Sequence, residues 1–163
     1  MSKEQLMYHY TECGLDNVWL ANGYAVKNTP YGRAVSIEHA DALHKLLADQ
    51  LIEKQGRLTG KEFRFLRVQL GLSQVAMARA HGVSEQNVSL WERHGKVPKA
   101  NDHLLRIFVM SHRANNKRLR QAIDRMMTVE RLVHQRIVAQ ATSTGWEPVA
   151  QDQEAADQAL AAA

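Results

Sequence analysis

With one cysteine, Cys13, the 163-residue chain can form no internal disulfide, and that scarcity fits a reducing compartment. No stretch approaches the run of about 20 apolar residues that a bilayer span requires. The opening MSKEQLMYHY lacks the apolar block of a signal peptide. The chain is therefore expected to be cytoplasmic. Also missing are a phosphate-cradling glycine loop, a Ser-centred nucleophile elbow and a tight carboxylate pair. The eight histidines have no usable ligand spacing: His39 and His44 stand five apart, and His9 sits among tyrosines. Nothing orients His9 and Cys13 as base and nucleophile. No metal, no cofactor and no enzymatic activity are expected.

What is present begins with an ordinary apolar fraction, 45%, enough for a real core. Charge is unevenly spread. Residues 1–55 hold 5 Lys/Arg against 7 Asp/Glu, a net −2; residues 56–141 hold 16 against 6, a net +10; the remainder holds none against 4, a net −4. A basic middle between acidic flanks is the footprint of a nucleic-acid-binding segment. A merely basic surface would look the same, so charge alone does not decide.

The pattern points to an α+β chain, mainly α. Val18-Trp19-Leu20 and Tyr24-Ala25-Val26 flank Ala21-Asn22-Gly23, and Asn-Gly is a strong hairpin signal. A turn at Pro30-Tyr31-Gly32 leads into Ala34-Val35-Ser36-Ile37. A helix starting near residues 36–39 places Ala40, Leu43, Leu47 and Leu51 on one stripe, expected to cover a small antiparallel sheet. Residues 56–60 form the expected joint, so that 1–56 is one domain, for dimerisation or partner binding, and 57–113 the next.

In the second domain Thr59-Gly60-Lys61-Glu62 fits a capping box. The helix it opens turns Phe63, Leu66 and Leu70 inward and stops at Gly71. Ser73 caps a helix from Gln74 to His81, Gly82 breaks it, and Ser84 caps another from Glu85 to about His94, ended by Gly95. A fourth is expected from near Asn101 to Arg113. From Asn115 to about Ala141 a long C-terminal helix is expected, with Leu119, Ile123, Met126, Val133 and Ile137 on a stripe interrupted by Glu130. That stripe suits a seam, either in a dimer or against its own domain. Residues 142–163, ending QDQEAADQALAAA, are expected to be disordered.

The segment Leu72–Gly95 meets the demands of a helix-turn-helix together. Ala78 supplies the small residue at the crossing, and Gly82, four residues later, the positive φ of the turn. Val83, Val88 and Trp91 anchor the inner face of the second helix. Glu85, Gln86, Asn87, Leu90 and Arg93 lie on its outer face, with Ser89 at the edge. Amides at the exposed start of that helix are suited to adenine. A plain helical hairpin is the simpler alternative, and His81 stands where an apolar residue would be commoner.

Residues Leu66 to Arg113 resemble the Cro/C1-type (XRE) family of phage and bacterial repressors, through Ser73-Gln74, Ala78, Gly82-Val83, Val88 and Trp91-Glu92. Within that group the chain is similar to the MqsA/YgiT-type antitoxin-like regulators. Tyr10-Thr11-Glu12-Cys13-Gly14-Leu15 resembles a degraded copy of their zinc knuckle, with Tyr10 in place of the first cysteine. The resemblance implies a lambda-repressor-like bundle that binds double-stranded DNA. It places Gln86 and Leu90 at base edges, with Ser84, Glu85 and Asn87 as neighbours. Glu85 either accepts from cytosine N4 or, as an N-terminal acid, favours the helix dipole. Gln74 would bind phosphate at a helix N-terminus, and Arg67 with Glu92 would form a structural ion pair. Lys61, Arg64, Arg93, Lys96 and Lys99 would form a phosphate track that positions without specifying sequence.

The function expected is a dimeric transcriptional repressor reading inverted repeats of an operator. The rival is an antitoxin whose N-terminal domain blocks a toxin while DNA binding serves autoregulation; Trp19, Tyr24 and Tyr31 form either its exposed contact patch or, as is commoner for aromatics beside a small sheet, that sheet's core.

Overall fold

A helix begins at each hydroxyl cap expected from the sequence. In the computed structural model, which describes residues 7–128 and 136–149, Thr59 caps helix α2 (Gly60–Gln69); α1 is Ala40–Glu53. The Thr59 hydroxyl accepts from the Glu62 N–H at 3.2 Å, and the Glu62 carboxylate accepts from the Thr59 N–H at 2.8 Å. Both halves of the capping box are thus made, satisfying two donors that a helix start leaves unpaired. Ser73 and Ser84 cap α3 (Gln74–His81) and α4 (Glu85–His94) through hydroxyls that accept from the N–H groups of Ala76 and Asn87. Each such cap contributes about 1 kcal/mol.

The turns are as local as the caps. Gly82 adopts φ +64° and lets the Val83 N–H reach the Ala78 carbonyl at 3.0 Å while its own N–H reaches that of Arg79. Gly71, at φ +69°, closes α2 in the same way, with bonds from Leu72 to Arg67 and from Gly71 to Val68. Helix α5 (Lys99–Arg113) ends near Asn115, whose φ of +50° redirects the chain into α6 (Lys117–Thr128). Asparagine tolerates that conformation better than most residues.

Strand pairing departs from the expectation. Asn22-Gly23 does not close a hairpin between Trp19-Leu20 and Tyr24. Instead β2 (Trp19–Leu20) pairs antiparallel with β1 (Tyr8–His9), while β3 (Tyr24–Thr29) pairs with β4 (Gly32–Ile37) around Pro30-Tyr31. Asn22-Gly23 is a bend between two separate two-stranded sheets. The β3–β4 register, Tyr24↔Ile37 to Thr29↔Gly32, has six pairs, against the three that the Asn-Gly hairpin would have joined. Nor does α1 cover β3–β4: most of that hairpin is exposed on both faces, and α1 packs chiefly on α2 and α5.

Residues through Thr128 form one unit. Its main core joins Tyr10, Leu15, Val18 and Leu20 to Phe63, Leu66, Met77, Val88, Trp91 and Leu105, running across the boundary expected at 56/57. The segment there is clamped: the Arg106 guanidinium donates to the carbonyls of Ile52, Lys54 and Gly56 at 2.6–3.1 Å, and to Asp102 at 2.7 Å. Asp102, 1% exposed, also accepts from the Leu58 N–H. A second small core joins Ala80, Phe108 and Ile123, so α6 packs within its own chain on α3 and α5.

The long helix expected over residues 115–141 ends at Thr128 among the described residues, and Val133 lies outside them. Ala139–Thr142 (β5) and Gly145–Pro148 (β6) pair antiparallel in the unit from Val129 onward. Ile137, on the expected stripe, lies in irregular chain just before β5, and residues 142–148 belong to the end of β5, a turn and β6 rather than to a disordered tail. Gly145, at φ +145°, supplies the turn. The tail QDQEAADQALAAA lies outside the described residues. No described helix is long and apolar enough to cross a membrane.

Candidate nucleic-acid interface

Helix α4 has two unlike sides. Val88 is fully buried and Trp91 is 9% exposed, the latter edge-on to Phe63 with centroids 5.9 Å apart. Ser84, Glu85, Gln86, Asn87 and Leu90 are exposed, Ser89 is half-buried, and Leu90 retains 39% of its surface. The side chains of Gln86 and Asn87 make no hydrogen bond within the described residues. Their donors and acceptors are open to solvent. Ser84 spends one acceptor position on the Asn87 N–H but keeps its hydroxyl proton.

Three contacts fix how α4 sits. The first is α3, which packs on α4 and whose Ala78, 4% exposed, belongs to the main core. Gly60 brings the start of α2 against the end of α4: a Cβ there would stand 2.3 Å from the Glu92 carbonyl oxygen and 2.6 Å from that of Trp91. No side chain fits. The third is the Arg67–Glu92 pair, with Nε to Oε1 at 2.5 Å and Nη2 to Oε2 at 3.0 Å, a side-on bidentate geometry. The remaining arm of Arg67 donates to the Leu72 carbonyl at 2.8 Å, tying α2, the α2–α3 turn and α4 together.

His81 shows why a polar residue occurs among apolar ones. Its ring lies among Phe63, Trp91 and Phe108, with centroids 5.7–6.2 Å away. Nδ1 stands 2.8 Å from the Asn101 side-chain amide, while Nε2 is buried without a partner. If Asn101 donates, Nε2 carries the proton. Burial favours the neutral ring and lowers its pKa to about 4.

The phosphate candidates divide. Arg64, Arg93, Lys96 and Lys99 are exposed and form no ion pair among the described residues. Lys61 is exposed but pairs with Asp16 at 3.0 Å. Gln74 is half-buried, and its amide donates to Glu92 Oε2 at 2.8 Å, which buttresses the Arg67 pair. Both of these are engaged within the chain. Missed by sequence reasoning were Gly60, Asp102 and Arg106. The capping box flagged Gly60 only as a spacer, and the other two act through contacts more than 40 residues away.

At the N-terminus, Cys13 is free and half-buried, its thiol 3.7 Å from the Tyr10 carbonyl, and the Tyr10 hydroxyl bonds the His44 ring at 2.9 Å. No cluster of three His, Cys, Asp or Glu residues able to hold a metal occurs among the described residues. A cavity of about 150 Å³, lined by Leu70, Leu72, Phe108, Ser111 and Ile123 among others, includes none of the residues of α4. No family model matches the chain, and no curated protein or solved structure matches it.

Proposed function

We propose that the chain is a sequence-specific double-stranded DNA-binding regulator of transcription, acting as a dimeric repressor on inverted repeats. In this reading α3, the Gly82-Val83-Ser84 turn and α4 form a helix-turn-helix of the Cro/C1 type, with α4 entering the major groove. The observation that carries it is the unpartnered polar face of α4 opposite a fully buried anchor, Val88. Gln86 and Asn87 can each bond adenine N6 and N7 together, and Leu90 can pack on a thymine methyl. Arg93, Lys96, Lys99 and Arg64 supply the exposed positive charge that phosphates require.

Selection of bound fragments from a random duplex pool tests the reading. The expected result is a recurring motif with two inverted halves about 34–36 Å apart or a multiple of it. Affinity should fall steeply as salt rises, because Lys and Arg displace counterions. A pool that emerges without sequence preference would contradict it.

A second reading, a toxin-neutralising antitoxin that autoregulates its operon, is favoured by Trp19. That ring is 57% exposed and stacked on His9, which leaves an aromatic surface open to a protein. A small toxic reading frame in the same operon would favour it.

A further inference from the structure

The β3–β4 hairpin has no part in the proposed reader, yet it is the longest paired sheet of the unit that contains it. Strands of six residues reach about 20 Å from root to tip. Only the root is held. Tyr24 stacks on Tyr8 with centroids 5.0 Å apart, and Tyr24 and Ile37 pack against the main core. The distal residues are exposed, Tyr31 at the tip completely so, and neither strand has a third beside it. A sheet kept for stability alone would bury one face, since two strands in water are marginal. This one presents both.

Its charge has one sign. Between Tyr24 and Ile37 the only ionic residues are Lys27 and Arg33, with no carboxylate. Neither forms an ion pair among the described residues. Arg33 lies within electrostatic reach of Glu12, whose carboxyl is held low chiefly by the Tyr8 hydroxyl and in smaller part by that guanidinium. By alternation Lys27 points to one face and Arg33 to the other. Small neighbours on the Lys27 face, Ala25, Ala34 and Ser36, leave the backbone open to a close approach.

The segment that holds the root is tied in turn to α2. His9, beside Tyr8, bonds the Asp16 carbonyl at 2.7 Å; Asp16 pairs with Lys61 in the first turn of α2; and Gly60 touches the backbone of Trp91 and Glu92. These contacts link the segment beside the hairpin root to the start of α2, against which the C-terminal end of α4, Glu85–His94, packs.

We propose that the β3–β4 hairpin is a second duplex contact, in which Lys27 and Arg33 engage DNA phosphates outside the groove that α4 reads. The proposal rests on the DNA-binding reading above, and its test separates the two. Full-length chain and the Lys27→Ala/Arg33→Ala variant are titrated by fluorescence anisotropy against a labelled duplex from the selection and against a scrambled one, from about 50 to 200 mM salt. The variant should weaken on both duplexes by a common factor, roughly tenfold, with a salt slope shallower by about 2. Preference for the selected duplex and thermal melting should be unchanged, and Lys27→Arg/Arg33→Lys should restore binding. Wild-type affinity and slope in the Ala variant would overturn the hairpin contact while leaving the α4 reading intact. So would loss of a co-purifying protein with DNA binding unaltered, which would assign the hairpin to a protein partner. A wild-type chain that ignores every duplex sinks both. Should the double variant misfold, Lys27→Ala alone decides, with an expected slope change of about 1.

Discussion

The polar groups between the helices and those on the outer face of α4 are of the same chemical kinds, yet the molecule treats them oppositely. Inside, nearly every one is saturated. Glu62, 1% exposed, accepts from Asn17, Lys54 and the Thr59 backbone; Glu92 accepts twice from Arg67 and once from Gln74; Asp102 accepts from Leu58 and Arg106. Outside, Gln86 and Asn87 hold comparable hydrogen-bonding capacity and spend none of it on the chain. The difference teaches which polar groups are structural. Buried ones must be paired because stranding one costs several kcal/mol, whereas exposed ones cost nothing to leave free for a ligand.

Breaking the inner set should give the largest effect. Arg67→Ala strands the Glu92 carboxylate, whose side chain is only 4% exposed, and the expected loss is about 3 kcal/mol in a urea titration. A loss under about 0.5 kcal/mol, typical of surface changes, would erase the distinction between inside and outside.

His81 sharpens the comparison, as an inner side chain with a buried polar atom left over. Its folded pKa of about 4 lies below the ordinary 6.5, so the unfolded chain binds the proton more readily. The contribution of the neutral ring is complete above about pH 6.5 and declines as pH falls toward 4. A stability loss of roughly 1–2 kcal/mol is expected across that window, discounted for the part of the ring that water reaches. His81→Leu should flatten that limb. An unchanged limb in the variant would place its cause elsewhere. Asp16 and Glu12, lowered by Lys61 and by the Tyr8 hydroxyl, act at more acid pH.

How legible each part was in the sequence follows from the range of its contacts. Thr59, Ser73, Ser84, Gly71 and Gly82 each act within five residues, so α2, α3 and α4 could be bounded without a structure. The outer face of α4 followed from helical spacing once Val88 and Trp91 were taken as anchors. Strand pairing did not follow. Asn22-Gly23 carries a strong local turn signal, but Leu20 finds its partner in Tyr8 and Tyr24 finds its own in Ile37, and no local rule sees either. Lys27 and Arg33 went unplaced for that reason. The C-terminal stripe misled for the opposite cause: Ile137 continues a helical period, whereas Gly145 and the pairing of Ala139 with Pro148 decide the matter. Arg106 was invisible, since the carbonyls it binds lie about 50 residues earlier.

The smallest effect on stability belongs to Gln86, the residue on which the proposed function turns. Gln86→Ala removes an exposed side chain without partners, and its unfolding free energy should stay within about 0.5 kcal/mol of wild type. The decisive measurement is the ratio of its affinities for the selected and scrambled duplexes. That ratio should shrink by the equivalent of about 1–3 kcal/mol with the fold intact. An equal loss on both duplexes, or none on either, would contradict the claim that the outer face of α4 reads bases.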